Sequence, residues 1–290
     1  MGELKAAVLP ERGVLRVGGP EARPFLQNLV TNNVDLADGK RAVYSGLLTP
    51  QGKFLFDFII SADGDGLLLD CDGARAADLV KRLNFYKLRA QVTVEDASAT
   101  HKVVAVWGGE VKAKGAITDP RLPALGARIV TDKPDDALKA SGADEATPAD
   151  YHSHRIGLGV GDAAHDFEPD RTFPLEVNFD EMNGIDFQKG CFIGQEVTSR
   201  TKRRGSVRKR LLPCIVEGDL PRPHTPVRAA AREVGTVFSG DAGTGRVMAL
   251  LRLDLINGAT LEAGNSGLTP EKPAWATFEI EGVAGDDDDA

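Results

Sequence analysis

Residues 188–196 read Gln-Lys-Gly-Cys-Phe-Ile-Gly-Gln-Glu, and the rest of the chain is best interpreted around them. Their single cysteine lies between two glycines, two residues after Lys189. Residues 197–204 predict a short helix that ends at Gly205, so Cys191 lies just ahead of a helix N-terminus. Free backbone N–H groups at that end, together with the lysine, favour a thiolate. The alternative is a small buried cysteine in a glycine-bounded turn, and this stretch alone leaves both interpretations open.

The composition of the chain is that of an ordinary globular protein. Its 290 residues are enough for two or three domains with cores of their own. Hydrophobic residues make up 42% and charged residues 27%, and no apolar run approaches the ~20 residues of a membrane span. We therefore expect no membrane partner. The net charge of −8 argues against a generic nucleic-acid binder, so direct nucleic-acid binding is a weak alternative.

Cysteine usage and the N-terminus predict a cellular location. The cysteines Cys71, Cys191 and Cys214 form no close pairs, which argues for reduced thiols and against a disulfide framework. Residues 1–13 lack the apolar core of a signal peptide. Both observations predict a cytoplasmic protein. The histidines show no metal-binding spacing, so no metal-ligating residues are assigned.

The order of the predicted elements indicates an α+β fold that ends in a small all-β domain. Residues 1–100 alternate hairpin strands with two helices, which is typical of an antiparallel sheet covered on one side. A second α+β domain with the cysteine motif is expected over residues 101–206. Residues 207–290 change to short strands separated by Gly, Pro and Asp turns, which predicts a small barrel or sandwich. The expected strands there are 210–216, 226–229, 233–239, 247–252 and 274–280, followed by a disordered acidic run at 286–289.

Two carboxylates are unusual in their surroundings. Asp57 lies within an apolar strand, where an acid costs desolvation energy unless it is paired or functional; an acid that protects an edge strand is an equal alternative. Glu176, two residues before Asn178, lies in an apolar approach to the cysteine motif. A carboxylate there matches the paired N–H groups of an amino-substituted heterocycle. From this segment alone, an ordinary surface acid is the stronger interpretation of Glu176.

A dense basic cluster follows the cysteine motif in this acidic chain. Such a cluster fits phosphates or a polycarboxylate tail, although the solvated end of a helix explains it as well. RNA binding through the same side chains is a third and weaker interpretation. The basic cluster comprises Arg200, Lys202, Arg203, Arg204, Arg208, Lys209 and Arg210.

Residues 189–196 closely resemble the signature of the YgfZ family, folate-binding relatives of the glycine-cleavage T-protein. Residues 29–34, 45–53, 174–176 and 235–239 are similar to further segments of that family and occur in the family's order. The resemblance implies a three-part ring that holds tetrahydrofolate, with a C-terminal β-barrel. It also implies help with the assembly or repair of iron–sulfur clusters, with radical-SAM and tRNA-modifying enzymes as client proteins.

The resemblance also assigns roles to the candidate residues. Cys191 and Lys189 become the functional centre, and Asp57 is the acid retained from the T-protein pattern. Glu176 becomes the ligand of the pterin ring, and the basic cluster receives the glutamate tail of the folate. The residues expected to bind tetrahydrofolate are Glu176, Asn178, Gln195, Arg200 and Arg204.

One position departs from the T-protein pattern. T-proteins carry two adjacent acids where this chain has Phe56 and Asp57, so one carboxylate is lost. The loss argues against aminomethyl transfer, which needs acid beside the reacting folate nitrogen. Two hypotheses remain. One is a tetrahydrofolate-binding accessory protein for iron–sulfur clusters that acts through Cys191; the other is a folate-dependent aminomethyl or methyl transferase that uses Asp57. Whether the chain is an enzyme stays open.

Overall fold

The computed structural model describes residues 3–205 and 207–280, which belong to two compact units. The first unit comprises the chain up to Tyr151 together with Met182–Val197. The second comprises His152–Glu181 together with the chain from Thr198 onward. No helix within the described ranges combines the length and apolar composition that crossing a bilayer requires. The acidic run predicted at 286–289 lies outside the described residues, and the three predicted domain ranges stay a prediction.

The strands of the first unit form two sheets of five strands each. In chain order they are β1 (Lys5–Val8), β2 (Arg12–Gly18), β3 (Val43–Leu48), β4 (Phe54–Asp63), β5 (Gly66–Asp72), β6 (Thr93–Asp96), β7 (Lys102–Trp107), β8 (Ile117–Thr118), β9 (Ala127–Thr131) and β10 (Asp144–Glu145). One sheet has the order β3-β4-β5-β2-β6, and the other has the order β10-β1-β7-β9-β8. All pairs are antiparallel except β1 with β10.

The helices are short and mostly amphipathic. They are α1 (Ala22–Gln27), α2 (Ala76–Lys87), α3 (Pro134–Ser141), α4 (Pro148–Gly157), α5 (Ala163–Asp166), α6 (Gln195–Arg204) and α7 (Leu253–Ile256). Leu79 and Leu83 lie one helical turn apart on α2 and are fully buried in the core beneath the first sheet. Spacing of this kind places one apolar stripe of the helix against the sheet.

A buried network of charges connects the two sheets of the first unit. Asp70 on β5 accepts hydrogen bonds from Arg12 Nε at 2.6 Å and from Arg128 Nη1 on β9 at 2.8 Å. Asp119 accepts from Arg128 Nε at 3.0 Å and from Arg121 Nη2 at 2.7 Å. Both arginines also donate to the hydroxyl of Tyr151. Burial alone would raise the pKa of Asp119, but the two guanidinium groups hold it well below its usual value.

The second unit contains a closed barrel. Its strands are β11 (Lys209–Glu217), β12 (Pro226–Ala229), β13 (Arg232–Asp241), β14 (Arg246–Arg252), β15 (Leu261–Ala263) and β16 (Ser266–Pro270), in the spatial order β11-β14-β13-β12-β15-β16. The predicted α+β class and the predicted C-terminal barrel are therefore confirmed. The predicted strand at 274–280 is wrong, because the hairpin of β15 and β16 closes the barrel. Phe278 and Ile280 still pack against the barrel core, which explains the apolar pattern of that segment.

Candidate functional site

Cys191 is the exposed cysteine, whereas Cys71 and Cys214 are buried. It lies in a loop four residues before α6, which begins two residues earlier than predicted. Burial raises the pKa of the Cys71 thiol to about 12, and it also raises the pKa of Cys214. The alternative of a buried cysteine in the motif is therefore wrong. A thiol that faces solvent can react or bind a metal, whereas the other two are shielded.

Lys189 fixes the loop rather than contacting solvent, since only 8% of the residue is exposed. Its Nζ donates to the carbonyl oxygens of Gln27 at 2.7 Å, Val30 at 2.7 Å and Asn32 at 2.8 Å. An ammonium group has three N–H donors, so these bonds use all of them. The ammonium also lies 5.7 Å from the centre of the Phe192 ring. Lys189 thus attaches the cysteine loop to the segment from Gln27 to Asn32, at and after the end of α1.

The environment of Lys189 also changes its acidity. Burial lowers the pKa of its ammonium from 10.5 to about 8, against the opposing effect of Asp186 and Asp35. Asp186 belongs to the same loop, where its Oδ1 accepts the N–H groups of Gln188 and Lys189. The carboxylate therefore shapes the backbone that leads into the cysteine.

Thr31 and Asn32 form hydrogen bonds with the backbone that precedes the cysteine motif. Thr31 Oγ1 donates to the carbonyl of Gly184 at 2.6 Å, and the backbone N–H of Asp186 donates to the carbonyl of Thr31. Asn32 Nδ2 donates to the carbonyl of Asn183 at 2.5 Å. In the sequence these residues only predict the end of a helix. The sequence signal for their contacts with residues 183–186 is a cluster of hydrogen-bonding side chains immediately after a helix.

The glycine that follows the cysteine allows a close approach to the β3–β4 turn. A Cβ at Gly194 would lie 2.7 Å from the carbonyl oxygen of Thr49 and 2.9 Å from the Cα of Gly52. Gly194 and Gly52 also have φ of +82° and +78°, which side chains rarely adopt. Phe192 is buried, and Ile193 packs against the apolar core that contains Leu79 and Leu83. Gln195, a predicted folate ligand, begins α6 with its Nε2 3.5 Å from the carbonyl of Gly190.

Asp57 lies on β4 opposite Gly46 of β3 and is 5% exposed. Its Oδ2 accepts the hydroxyl of Tyr44 at 3.1 Å. The guanidinium carbon of Arg121 lies 5.8 Å from the centre of the Tyr44 ring, so the buried charge network reaches this pair. Asp57 is thus hydrogen-bonded within the sheet, whereas Cys191 and Lys189 lie in the loop that leads to Gln195 at the start of α6.

The predicted folate ligands of the second unit have different surroundings. Glu176 is half-buried, and its Oε2 accepts the backbone N–H of Phe173 at 3.1 Å. Asn178 is buried in a left-handed conformation, and its Nδ2 donates to the carbonyl of Leu211 on β11 at 2.8 Å. The Asn178 amide therefore attaches the segment that carries Glu176 to the barrel.

The basic cluster divides into two parts. Arg200, Arg203 and Arg204 are exposed on α6. Arg208 and Lys209, which follow the helix, are exposed as well. Lys202 is exposed as well, and its Nζ lies 2.9 Å from Asp180 Oδ2. Arg210 does not belong to the exposed surface: it is 4% exposed and bonds Asp180 Oδ1 at 2.7 Å and the carbonyl of Leu175 at 2.7 Å. It lies on β11, where residues 210–214 are all buried.

Comparisons with known proteins assign the chain to a family. Residues 11–114 match the GCVT N-terminal domain family, and residues 208–278 match the CAF17 C-terminal beta-barrel domain family. The iron–sulfur cluster assembly factors IBA57 of Mus musculus and Homo sapiens are both 34% identical to this chain; each alignment covers 92% of this chain and 84% of the relative. The homolog of Neurospora crassa is 36% identical, with 75% of this chain and 55% of that protein covered. The chain therefore spans little more than half the length of that fungal relative, and likewise 56% of the Mycosarcoma maydis homolog.

A solved structure shows the same fold. The glycine cleavage system aminomethyltransferase T from Bartonella henselae superposes with a TM-score of 0.74 at 15% identity, covering 95% of this chain and 87% of that one. The predicted T-protein-like fold is confirmed, while the narrower YgfZ assignment and the ring arrangement stay predictions. The predicted cytoplasmic location is wrong, because the matching relatives are named as mitochondrial proteins. The chain belongs to the family of the iron–sulfur cluster assembly factor IBA57.

Proposed function

We propose that this chain assists the assembly of iron–sulfur clusters and that Cys191 contacts the cluster or its sulfur. The exposure of Cys191 supports this proposal most directly. Lys189 and Phe192 on either side are buried, so the loop holds a thiol toward solvent while its neighbours stay fixed. The names of the related assembly factors point to the same activity.

The cluster in this proposal is cargo that is shared with another molecule. Within the described ranges, no group of three or more His, Cys, Asp or Glu residues is arranged to hold a metal ion. Iron–sulfur clusters are usually held by four cysteine thiolates. Cys191 supplies one such ligand, so a client protein, a donor protein or a small thiol supplies the others. The clients implied by the family resemblance are radical-SAM and tRNA-modifying enzymes.

Anaerobic transfer with purified proteins tests this role. A scaffold protein loaded with a cluster is mixed with an apo iron–sulfur enzyme, and the recovery of enzyme activity is followed with and without the full chain. We expect acceleration by the wild type and by Cys214→Ser, but not by Cys191→Ser. Cys214→Ser is the matched control because it removes a buried thiol. Equal acceleration by Cys191→Ser would exclude the thiol from the activity.

We also propose tetrahydrofolate as the cofactor. The half-buried carboxylate of Glu176 suits the paired N–H groups of a pterin, and the exposed Arg200 and Arg204 suit the carboxylates of a glutamate tail. Asn178 has a positioning role in this proposal, because its amide already binds the Leu211 carbonyl and the side chain of Arg210. A one-carbon derivative of tetrahydrofolate is the alternative cofactor for the same residues.

The alternative function is a folate-dependent aminomethyl or methyl transferase. The buried Asp57, hydrogen-bonded to Tyr44, is the observation that favours it. Turnover of an aminomethylated carrier protein in the presence of tetrahydrofolate separates the two functions. Turnover that persists in Cys191→Ala and disappears in Asp57→Asn would establish the transferase. No turnover by the folded wild type would leave the thiol-dependent function.

A further inference from the structure

Two large apolar side chains are exposed at the end of α2. Phe85 is 72% exposed and Leu88 is 89% exposed. Burying side chains of this kind stabilises a folded protein, so leaving both in water forfeits that stabilisation. Adjacent exposed apolar groups of this size are typical of a surface that binds a partner.

The backbone and the neighbouring rings hold these two side chains outward. Leu88 has φ of +45° and ψ of −105°, a conformation that is strained for a branched residue. The Phe85 ring lies edge-on against Tyr86, with ring centres 5.5 Å apart, and Tyr86 packs against the core of the first sheet. The exposed groups are therefore positioned by the folded structure, and a partner would find them already arranged.

A groove runs from Phe85 to the beginning of β4. It has a volume of about 430 Å³ and is lined by Leu55, Phe56, Arg75, Asp78, Lys81, Arg82 and Phe85. The guanidinium of Arg75 lies 4.2 Å from the centre of the Phe56 ring and donates to the carbonyl of Leu55. The floor of the groove is thus an ordered apolar and cationic surface, wide enough for side chains of another protein.

The charge around the groove is opposite to that of the whole chain. Residues 75–89 contain five basic residues and one acid, whereas the complete protein has a net charge of −8. Lys81, Arg82 and Arg89 are exposed. A basic surface on an acidic protein selects acidic partners and accelerates their association.

We propose that the α2 surface, defined as Arg75, Lys81, Arg82, Phe85, Leu88 and Arg89, docks an acidic segment of a partner protein. Apolar side chains of that segment cover Phe85 and Leu88, and its carboxylates meet the arginines and the lysine. A concave groove fits a protein segment better than a flat lipid surface. This inference is independent of the role of Cys191, since it uses none of the same residues.

Binding of designed helical peptides to the full chain tests the proposal. One labelled peptide carries leucines on one face and glutamates on the other; matched peptides carry glutamines or lysines in place of the glutamates. Fluorescence anisotropy should show the glutamate peptide binding at least about tenfold more tightly than either of the others. Hydrogen exchange should show new protection at residues 78–89 when that peptide is bound.

Variants assign the binding to the α2 surface. Phe85→Ser with Leu88→Ser, and separately Lys81→Glu with Arg82→Glu, should each weaken binding about tenfold or more. Lys114→Glu with Lys139→Glu is the matched charge control, because both lysines are exposed elsewhere, and it should stay within about twofold of the wild type. Circular dichroism and unfolding temperature show that each variant is folded.

Three results would overturn the proposal. The first is a glutamate peptide that binds no better than the lysine peptide. The second is absence of peptide binding together with sedimentation of the protein with phosphatidylglycerol vesicles but not with phosphatidylcholine vesicles. If Phe85→Ser with Leu88→Ser abolished that sedimentation, the surface would be assigned to membranes. The third is concentration-dependent self-association that the same variant abolishes, which would assign the surface to a second copy of the chain.

Discussion

Gly52 and Gly194 contact each other backbone to backbone, in the turn between β3 and β4 and in the cysteine loop respectively. A Cβ on Gly194 would lie 2.9 Å from the Cα of Gly52, and a Cβ on Gly52 would lie 3.2 Å from the carbonyl oxygen of Gly194. Real Cβ atoms essentially never approach backbone to less than 3.0 Å. The two glycines thus let the hairpin and the loop pack together, and this contact sets where the exposed thiol lies.

The first prediction concerns this contact. Gly194→Ala should destabilise the protein by about 1–3 kcal/mol, because it combines a clash with an unfavourable positive φ. Gly64→Ala is the control, since Gly64 has φ of +55° but no atom near its Cβ position. Urea unfolding should therefore show a larger loss for Gly194→Ala than for Gly64→Ala. Equal losses would mean that the close packing contributes nothing beyond the backbone conformation.

The second prediction concerns the anchor of the loop. Lys189→Met should cost about 2–4 kcal/mol of folding free energy, because three carbonyls lose a charged donor. The same change at exposed Lys114 should have little effect. Hydrogen exchange should also be faster in residues 183–194 of Lys189→Met. Unchanged protection there would show that the loop is held by its other contacts alone.

The third prediction concerns thiol reactivity. Cys191 should react with iodoacetamide near neutral pH much faster than Cys71 and Cys214, because it is exposed and the other two are buried with raised pKa values. Mass spectrometry of peptides taken during the reaction gives the three rates. Unfolding in urea should bring the rates together. Similar rates in the native protein would contradict the exposure of Cys191.

The fourth prediction concerns the buried charge network and acid. The folded pKa of Asp119 is lowered below its usual 3.8, so its stabilisation is complete above that pH and is lost as the pH falls toward the folded pKa. Asp119→Asn should cost about 3–5 kcal/mol at neutral pH, because two buried arginines each lose a carboxylate partner. As the pH falls from about 5 to about 3, the free energy of unfolding should also decrease less in Asp119→Asn than in the wild type.

Urea unfolding at several pH values measures both effects. The control is Asp63→Asn, which removes a carboxylate from an exposed pair with Arg16. Exposed pairs contribute about 0–1 kcal/mol, so this variant should resemble the wild type. An Asp119→Asn variant with the same acid dependence as the wild type would contradict the assignment.

The fifth prediction tests the folate proposal. Glu176→Ala should weaken tetrahydrofolate binding in calorimetric titration by about tenfold or more, because two donors of the ligand lose their acceptor. Glu217→Ala is the control, since Glu217 is an exposed acid on the barrel. Asn178→Ala is unsuitable for this test, because losing its bond to the Leu211 carbonyl would disturb the segment itself. Unchanged affinity in Glu176→Ala would remove this residue from the site.

Several elements could be predicted from local sequence. Strand β12 has the predicted boundaries, and the α+β class followed by a barrel is confirmed. These features depend on alternation of apolar residues and on Gly and Pro turns over a few residues. The closing hairpin, β15 and β16, was missed because it is short, and the apolar residues after it suggested a strand instead.

That one cysteine lies between glycines ahead of a helix follows from the order of residues, since these are properties of neighbours in the chain. The surroundings of that cysteine depend on the folded backbone. The carbonyls that bind Lys189 lie at least 157 positions away in the chain, and Gly52 lies beside Gly194. An ammonium can pair with any carbonyl, and a glycine is compatible with many neighbours, so only the folded backbone selects these partners. For the same reason, the folded backbone and not the local sequence distinguishes Arg210, which is buried, from the exposed basic residues before it.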